Sequence, residues 1–411
     1  MAEWQLFTRN QFAGSSGGIP IIEADAVVRR IAAGKYVVEV GYSPSARRRL
    51  VPGCGVIIRR EGKTVLSGPW TRFAYRGATA DNPLGTIALE GVSDDIIGQY
   101  RLCAPDPTRP LDQQSTVNTW TRGPAPIETL MHQLVNENCG PGALVPSVAW
   151  PDAPSRRIPG LVMGADQGRG PVTTWSTLRY PTVQEELQRM SAFAEAAGVR
   201  LLPKFQQTDL GLTFEVLEAD NRVGQVVFGP GLGNLDDQEY IEESGDVWLA
   251  VGAGKGEGVM RMQRVKVTED EFTLAFGVGR EEYVDRRDTA EWAELEKSAQ
   301  EAVDRGVAAV SFRCTALDTP GTRYGEDFDL NTLASVKIGP PGIDPETGEL
   351  YVPVAEFDDL VREIAFSRAA DGTDKVTAAV GTETATTNVA LPSLKKLAAL
   401  NAQMTQLQRS Q

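Results

Sequence analysis

The chain has 411 residues, 41% of them hydrophobic, and its 55 Asp and Glu against 41 Lys and Arg give a formal charge of −14. That length allows about two to four domains. No apolar run is long enough for a membrane-spanning helix, no secretory signal is read in Met-Ala-Glu-Trp-Gln at the N-terminus, and the acidic balance runs against tight nucleic-acid binding.

The acidity reads first as a solubilising surface, although a conduit for DNA would also need a wall to which DNA does not adhere. Cys54, Cys103, Cys139 and Cys314 lack metal-ligand spacing and read as buried free thiols, with one disulfide left open.

Residues 1 to about 105 read as β. Strands are expected at Trp4–Thr8, Tyr36–Val40, Gly55–Arg59, Thr64–Gly68, Thr71–Tyr75 and Gly85–Val92. Gly14–Gly18, Pro44, Pro52-Gly53 and Asp81-Asn82-Pro83 read as breakers between them. Glu61-Gly62 sits where a two-residue hairpin turn needs positive φ. Ala104–Pro110, with its three prolines, marks a boundary.

An α/β stretch follows. Pro126 opens a helix to about Asn138, which Cys139-Gly140-Pro141 stops. The only histidine, His132, lies beside the stripe Ile127, Leu130, Met131, Leu134 and Val135, and is expected to be solvated or satisfied there. A lone imidazole excludes a two-histidine zinc site and argues against Ser-His-Asp or Cys-His chemistry. After a Pro- and Gly-rich loop over about 140–172, a second helix starts at Thr182, with Glu185 completing a capping box. Its apolar face is Val183, Leu187, Met190, Ala194 and Ala197, and Gly198 ends it. Strands are expected at Val199–Phe205 and Leu212–Glu218.

From about 223 the pattern returns to β, with strands at Val226–Phe228, Val247–Val251, Val259–Val267 and Glu271–Val278. A helix is expected over Thr289–Arg305, with Asp288 and Glu291 in capping-box spacing and Trp292, Leu295, Ala299, Ala302 and Val303 facing the core. Val307–Thr315 and Ser335–Ile338 read as strands, and Leu360–Arg368 as helix or strand. Asp371-Gly372 predicts a hairpin before Val376–Val380. Beyond a polar linker, Leu394, Leu397, Leu400, Met404 and Leu407 make an amphipathic tail whose last four fit an a/d seam. The seam suits either oligomerisation or docking on its own domain.

Motifs that could carry chemistry were weighed in turn. Gly252-Ala-Gly-Lys-Gly-Glu-Gly258 is no phosphate loop, because Leu249 and Gly256 stand where Gly and Ser or Thr are required. Asp94-Asp95, Asp236-Asp237, Glu281-Glu282 and Asp358-Asp359 read as solvated surface pairs. Asp327, Asp329 and Asn331 alternate like calcium ligands, but Thr332 and Ile338 occupy the glycine and distal glutamate positions. No catalytic, cofactor or metal set assembles. Gly279–Thr289 is dense in both charges and reads as a salt-bridged surface or a subunit contact. The candidate oligomer contacts are therefore Arg280, Glu282, Asp285, Arg286 and Arg287, with Leu397, Leu400, Met404 and Leu407 of the tail.

Several segments together resemble the siphovirus tail-tip or baseplate hub proteins of long-tailed actinobacterial phages. They are Pro52–Trp70, Gly123-Pro-Ala-Pro-Ile-Glu-Thr-Leu130, Arg157-Ile-Pro-Gly-Leu161, Gly168-Arg-Gly170, Gly233-Asn-Leu235, Gly279–Thr289 and Tyr324-Gly-Glu-Asp-Phe328, within roughly residues 20–385. The resemblance implies a β-rich α+β chain of tandem tail-tube-like split β-barrels with an α/β insertion and a C-terminal helical tail. Its expected layout is a first barrel over 1–110, completed by about 220–245, then an α/β insertion over 111–219. A second barrel over 246–384 contains the helix 289–305, and 385–411 is linker and amphipathic helix. It further implies a non-enzymatic homotrimeric ring that adapts the tail tube to the tip and lines the DNA channel. Expected partners are sister copies, the distal tail protein ring, the tape-measure C-terminus, other tail-tip proteins, and DNA passing without specific binding. Such a protein is made in the host cytoplasm and ends in the virion. The alternatives are a tail-associated cell-wall hydrolase, motivated by the many carboxylates, and a carbohydrate- or receptor-binding tail protein, motivated by seven tryptophans.

Overall fold

The computed structural model describes residues 3–381 except 10–14, 31, 52, 79–82, 115–116, 178–179, 209–210, 230–231, 244, 277, 288, 308, 317–321 and 341–354. The chain divides into a larger unit, containing residues up to 237 and 314–379, and a smaller one containing 238–313.

The larger unit begins with β1 (Trp4–Arg9), β2 (Ser15–Arg29), β3 (Lys35–Gly41), the short helix α1 (Pro44–Arg49), β4 (Gly55–Arg60), β5 (Lys63–Arg76) and β6 (Thr86–Val92). Their order is β1–β4–β5–β6–β3–β2, and β1 pairs back onto β2, so six antiparallel strands close into a barrel. Closure leaves these strands no common open edge. Alternation supplies the core: Leu6, Val38, Val40, Val56, Ile58, Ile87 and Leu89 are fully buried. The β4–β5 turn has Glu61 at φ 51° and Gly62 at φ 78°, the left-handed pair that the hairpin demands.

Two departures from the sequence expectation have tertiary causes. Gly14–Gly18 was expected to break the chain, yet β2 starts at Ser15. Its Ser15–Pro20 stretch pairs with β1, and from Ile21 onward it pairs with β3, so hydrogen bonding overrides a weak local propensity. Thr64–Gly68 and Thr71–Tyr75 are one strand, β5, which pairs with β4 as far as Pro69 and with β6 from Trp70. At the changeover a β-carbon on Gly68 would overlap the Val92 carbonyl oxygen.

The insertion contains α2 (Ile96–Tyr100), β7 (Thr121–Pro126), α3 (Ile127–Asn138), β8 (Leu161–Met163), β9 (Val172–Ser176), α4 (Val183–Ala196), β10 (Leu201–Thr208) and β11 (Gly211–Glu218). Helices α3 and α4 pack on the sheet β10–β11–β8, around Leu130, Leu134, Leu187, Met190, Phe205 and Phe214. The capping box forms as read: Thr182 Oγ1 accepts from the Glu185 amide at 3.1 Å, and Glu185 Oε2 accepts from the Thr182 amide at 2.7 Å. His132 is not solvated. It is 7% exposed, with its ring edge-on to Phe214 at 5.3 Å, and burial lowers its pKa and keeps it neutral. The cause is that α3 is covered around most of its girth, so that Glu128 and Asn138 are buried too.

A second set of strands follows: β12 (Asp220–Asn221), β13 (Val227–Phe228) and β14 (Leu235–Glu243). The smaller unit then contributes β15 (Val247–Ala253), β16 (Gln263–Val267), α5 (Glu271–Phe276), β17 (Arg280–Asp285) and α6 (Trp292–Arg305). Last come β18 (Ala309–Ala316), β19 (Thr332–Ile338), β20 (Ala355–Arg368) and β21 (Asp374–Gly381). Within the larger unit β19 pairs with β12, β13 and β20, and β20 is followed in the sheet by β21. Strand β20 also pairs with β2 over Ala24–Arg29, so both strand sets belong to one 13-stranded sheet.

This topology revises the expected layout. The first barrel closes without residues 220–245: β12 and β13 run parallel to β19 instead. Residues 247–305 are not barrel strands either. They form the sheet β16–β15–β17, with α6 packing Leu295, Ala299, Ala302 and Val303 against it. Glu271–Val278 was expected as a strand, but Glu271–Phe276 is helical, and Asp270 caps it, accepting from the Thr273 amide at 2.9 Å. Helix α6 starts at Trp292, with Glu291 as an N-cap that makes no side-chain capping bond; Asp288 lies outside the described residues. Leu360–Arg368 resolves as strand, and the Asp371-Gly372 hairpin forms with Gly372 at φ 86°. The tail from 382 lies outside the described residues.

Gly68→Ala is expected to lower barrel stability by about 1–3 kcal/mol through overpacking. Chemical denaturation would check this; an unchanged midpoint would contradict the crowding at the β5 changeover.

Candidate assembly surface

Strand β10 is the outer strand of the β10–β11–β8 sheet, so its far edge presents unpaired backbone groups. The barrel caps that edge with side chains. Arg30 Nη2 donates to the Leu201 carbonyl at 3.2 Å, Asp95 Oδ1 accepts from the Phe205 amide at 2.9 Å, and Ser67 Oγ accepts from the Gln207 amide at 3.1 Å. These are alternate positions of one strand, as an antiparallel edge requires.

Around Asp95 the network is buried and charged. Asp94 takes two bonds from the Arg9 guanidinium, one of them at 2.6 Å from Nη1, and a third at 2.6 Å from Ser67 Oγ. Burial opposes the charge on Arg9, but Asp94 outweighs it and raises the pKa. Asp94 and Asp95 are 1% and 9% exposed, so this pair is not the solvated surface pair that the sequence suggested. Burial pushes Asp95 up to about 6, against the pull of Lys204, the Phe205 amide and Ser93. The cavity beside Asp95 holds only about 10 Å³, room for one water and no substrate.

The second joint centres on Arg30 at the end of β2. Its Nε donates to Asn331 Oδ1 at 2.7 Å, its Nη1 to Glu195 Oε2 at 3.2 Å, and its amide to the Arg362 carbonyl at 2.8 Å. Arg362 Nη2 in turn donates to Glu195 Oε1 at 2.9 Å and Asp359 Oδ1 at 3.2 Å. Burial works against the Glu195 carboxylate, yet Arg362 and Arg30 hold its pKa below the ordinary range. Asn331, at φ 71°, uses the left-handed tolerance of Asn to receive Arg30. Its calcium-like spacing thus has a structural origin. Asp327 and Asp329 likewise accept from backbone amides, of Arg323 and Leu330.

A third network ties two of the quoted segments together. Glu128 at the start of α3 accepts from Nε and Nη2 of Arg169, each at 2.8 Å, and from the amides of Gln167 and Arg169 at 3.2 and 2.8 Å. Burial opposes the charge, but Arg169 prevails and the Glu128 pKa is lowered. Nearby, a polar cavity of about 570 Å³ is lined by Lys204, Gln206, Glu215, Glu218, Tyr324 and Asp329 among others. Gln206 donates to Glu215 and Arg169 to Glu218, so these carboxylates already have partners. Among the described residues no group of three His, Cys, Asp or Glu could hold a metal ion.

The charged candidates on and after β17 each have partners within the smaller unit. Arg280 lies 3.2 Å from Asp246 and 3.3 Å from Glu282, and Arg305 donates to Glu282 at 2.9 Å. Asp285 pairs with Arg261 and, at 3.2 Å, with Arg287, while Arg286 donates to Ser298 Oγ at 2.8 Å. The seam residues Leu397, Leu400, Met404 and Leu407 lie outside the described residues.

Residues 21–382 match the model of the Siphovirus ReqiPepy6 Gp37-like protein family. The chain belongs to that family, a siphovirus tail protein family. The match spans nearly the stretch over which the hub-like segments were recognised. No curated protein matches. Two solved structures share the fold along most of both chains. A 43 kDa tail protein of prophage MuSo2 from Shewanella oneidensis aligns at TM-score 0.52 and 15% identity, over 92% of this chain and 98% of that one. The tail protein from Neisseria meningitidis MC58 aligns at TM-score 0.51 and 12% identity, over 92% and 97%.

In this Gp37-like chain the decisive buried residues Arg9 and Arg30 went unremarked in the sequence, and Asp94 and Asp95 were read as a solvated pair. The available signal was an arginine closing an apolar alternating strand, as Arg9 closes β1 and Arg30 follows β2. Asp94→Asn should cost about 3–5 kcal/mol, because it strands a buried guanidinium. Asp95→Asn should behave oppositely. The folded-state pKa of Asp95 is raised, so its contribution to stability is full below about 4 and declines as pH climbs towards 6. At pH 7 the amide variant should therefore be as stable as the parent or more so. Denaturant midpoints between pH 4 and 7 would check both, and a destabilised Asp95→Asn protein at pH 7 would refute the burial argument. Arg30→Met should lose a further about 3–5 kcal/mol in the same assay.

Proposed function

We propose that this siphovirus tail protein works in the virion as a homotrimeric tail-tip hub. The observation that carries this reading is the tandem arrangement of a closed six-strand barrel and a second strand set, joined through β2 and β20 in one sheet. Three copies would supply paired barrel units around a hole, adapting a tube ring to a threefold tip. The distal tail protein ring, the tape-measure C-terminus and other tip proteins would be its neighbours. DNA would pass without specific binding, along a wall that the formal charge of −14 makes acidic.

The same reading makes the role architectural. The buried Asp94 and Asp95 and the half-buried Glu195 fasten the first barrel to the insertion, Glu128 holds Arg169 within the insertion, and His132 sits against Phe214 in the insertion core. Candidate ring contacts are the β17 charges Arg280, Glu282 and Asp285 with Arg286 and Arg287, and the tail seam.

Native mass spectrometry of the full chain, together with reconstruction of intact tails, tests the reading. A three-copy ring at the end of the tube, with acidic side chains on its inner surface, is the expected result. A persistent monomer absent from the tail ring would overturn the hub. A basic lumen would overturn the acidic wall alone.

A further inference from the structure

The smaller unit treats its strand edges differently from β10 and the first barrel. The β10 edge is capped by side chains, and the first barrel closes on itself. In β16–β15–β17, by contrast, both outer strands are open: among the described residues no hydrogen bond reaches the far edge of β16 or of β17. The face of the sheet opposite α6 is also partly exposed, with the Arg261 guanidinium 5.5 Å from the Tyr283 ring centre. Helix α6 covers the face carrying Ala250, Lys266 and Val284, where Lys266 reaches Glu296 at 2.6 Å and Arg264 lies over the Trp292 ring at 4.4 Å. The register Val251↔Val265 and Val251↔Tyr283 places Val265, Val267 and Tyr283 on the opposite face. There they are 53%, 46% and 52% exposed.

The two open edges are complementary in charge. The β16 edge reads Gln-Arg-Val-Lys-Val, basic without an acid, and Arg261 precedes it. The β17 edge reads Arg-Glu-Glu-Tyr-Val-Asp, with three acids to one base. Their existing partners within the chain are largely exposed, so these pairs contribute little on their own. Like edges would set basic against basic or acidic against acidic, which disfavours a two-fold contact. Opposite edges attract, and a head-to-tail contact of this kind closes rings.

We infer that β16 of one copy adds to β17 of the next, continuing the small sheet from subunit to subunit. This rests on the trimeric reading above and names the surface that would form the ring contact. Within one copy β16 runs antiparallel to β15 and β17 runs parallel to it, so β16 meets the next copy's β17 antiparallel. Setting Val265 opposite Tyr283 then places Lys266 opposite Glu282 on the helix-covered face and Gln263 opposite Asp285 on the other. Backbone pairing supplies affinity, and the cross-strand charges set direction and register.

Cysteine pairing in the full chain provides the test. Within one copy Val265 and Tyr283 are two strand spacings apart, roughly 9–10 Å, beyond the roughly 7 Å limit for a disulfide. Opposed across an antiparallel contact they would be about 4.5–5.5 Å apart, within reach. The double variant Val265→Cys/Tyr283→Cys should therefore give covalent oligomers up to the trimer on mild oxidation, while each single variant and the parent should not. Independently, Lys266→Glu should weaken association about tenfold at low salt, and adding Glu282→Lys should restore most of it. A trimer by mass that shows neither cross-link nor charge-swap rescue overturns the β16–β17 contact and leaves the hub standing. Absence of any trimer overturns both.

Discussion

A buried guanidinium must be paired, and the larger unit is organised around two of them. Leaving one unpaired away from water costs several kcal/mol, so each arginine demands every partner that surrounds it. The Arg30 side chain is 3% exposed, and its donors go to the insertion through Glu195 and Leu201 and to the second strand set through Asn331. The side chain itself belongs to the first barrel. Three separately patterned pieces of sequence are thereby committed to one relative position, which no single apolar contact would specify so narrowly. Arg9 repeats the device at the other end of β10, through Asp94 and Gln207.

The consequence for β10 is that an edge strand becomes an internal joint. Ordinary sheets protect an edge with charge, a bulge or closure. Here the protecting groups come from another module, so the protection also fastens the insertion to the barrel. Continuity of β2 with β20 supplies the other fastening, between the two strand sets. Around it Trp4 meets Phe366 edge-on at 6.2 Å, and the Trp4 indole donates to Asp374 at 3.1 Å. Backbone pairing sets the register there, and buried charge sets the orientation.

How much of this was legible in the sequence follows from the range of the interaction involved. The Glu61-Gly62 turn, the Thr182/Glu185 capping box, the Asp371-Gly372 hairpin and the apolar face of α6 are decided within a few residues and were readable, except that Trp292, read as core, is 46% exposed at the first turn of α6. Strand β2 was not, because its small and polar N-terminal half is held by partners on β1 rather than by its own propensity. The helix at Glu271–Phe276 was read as strand, and the Asp270 cap that favours it went unremarked. Arg30 and Asn331 are bonded 301 positions apart, and no local pattern announces such a pair. The segments quoted for the family resemblance lie elsewhere in the chain. Glu128 and Arg169, from two segments quoted for that resemblance, turn out to hold one another.

That last pair bears on where function can reside. A segment that carries a family resemblance invites a search for chemistry, yet Glu128 is fully buried and its oxygens are taken up by one arginine and two amides. Its depressed pKa is the mark of a structural ion pair, with a contribution that persists at neutral pH and is lost only in acid. Asp95, by contrast, is held near neutrality, a value that would suit a general acid if a substrate could reach it. It lies in a space for a single water, with its oxygens bonded to Phe205 and Ser93. A perturbed carboxyl without access can tune the stability of a joint but cannot act on anything outside it. The buried charges of this chain therefore point inward, to the making of a rigid module, and its outward surfaces are where contacts with other molecules must form.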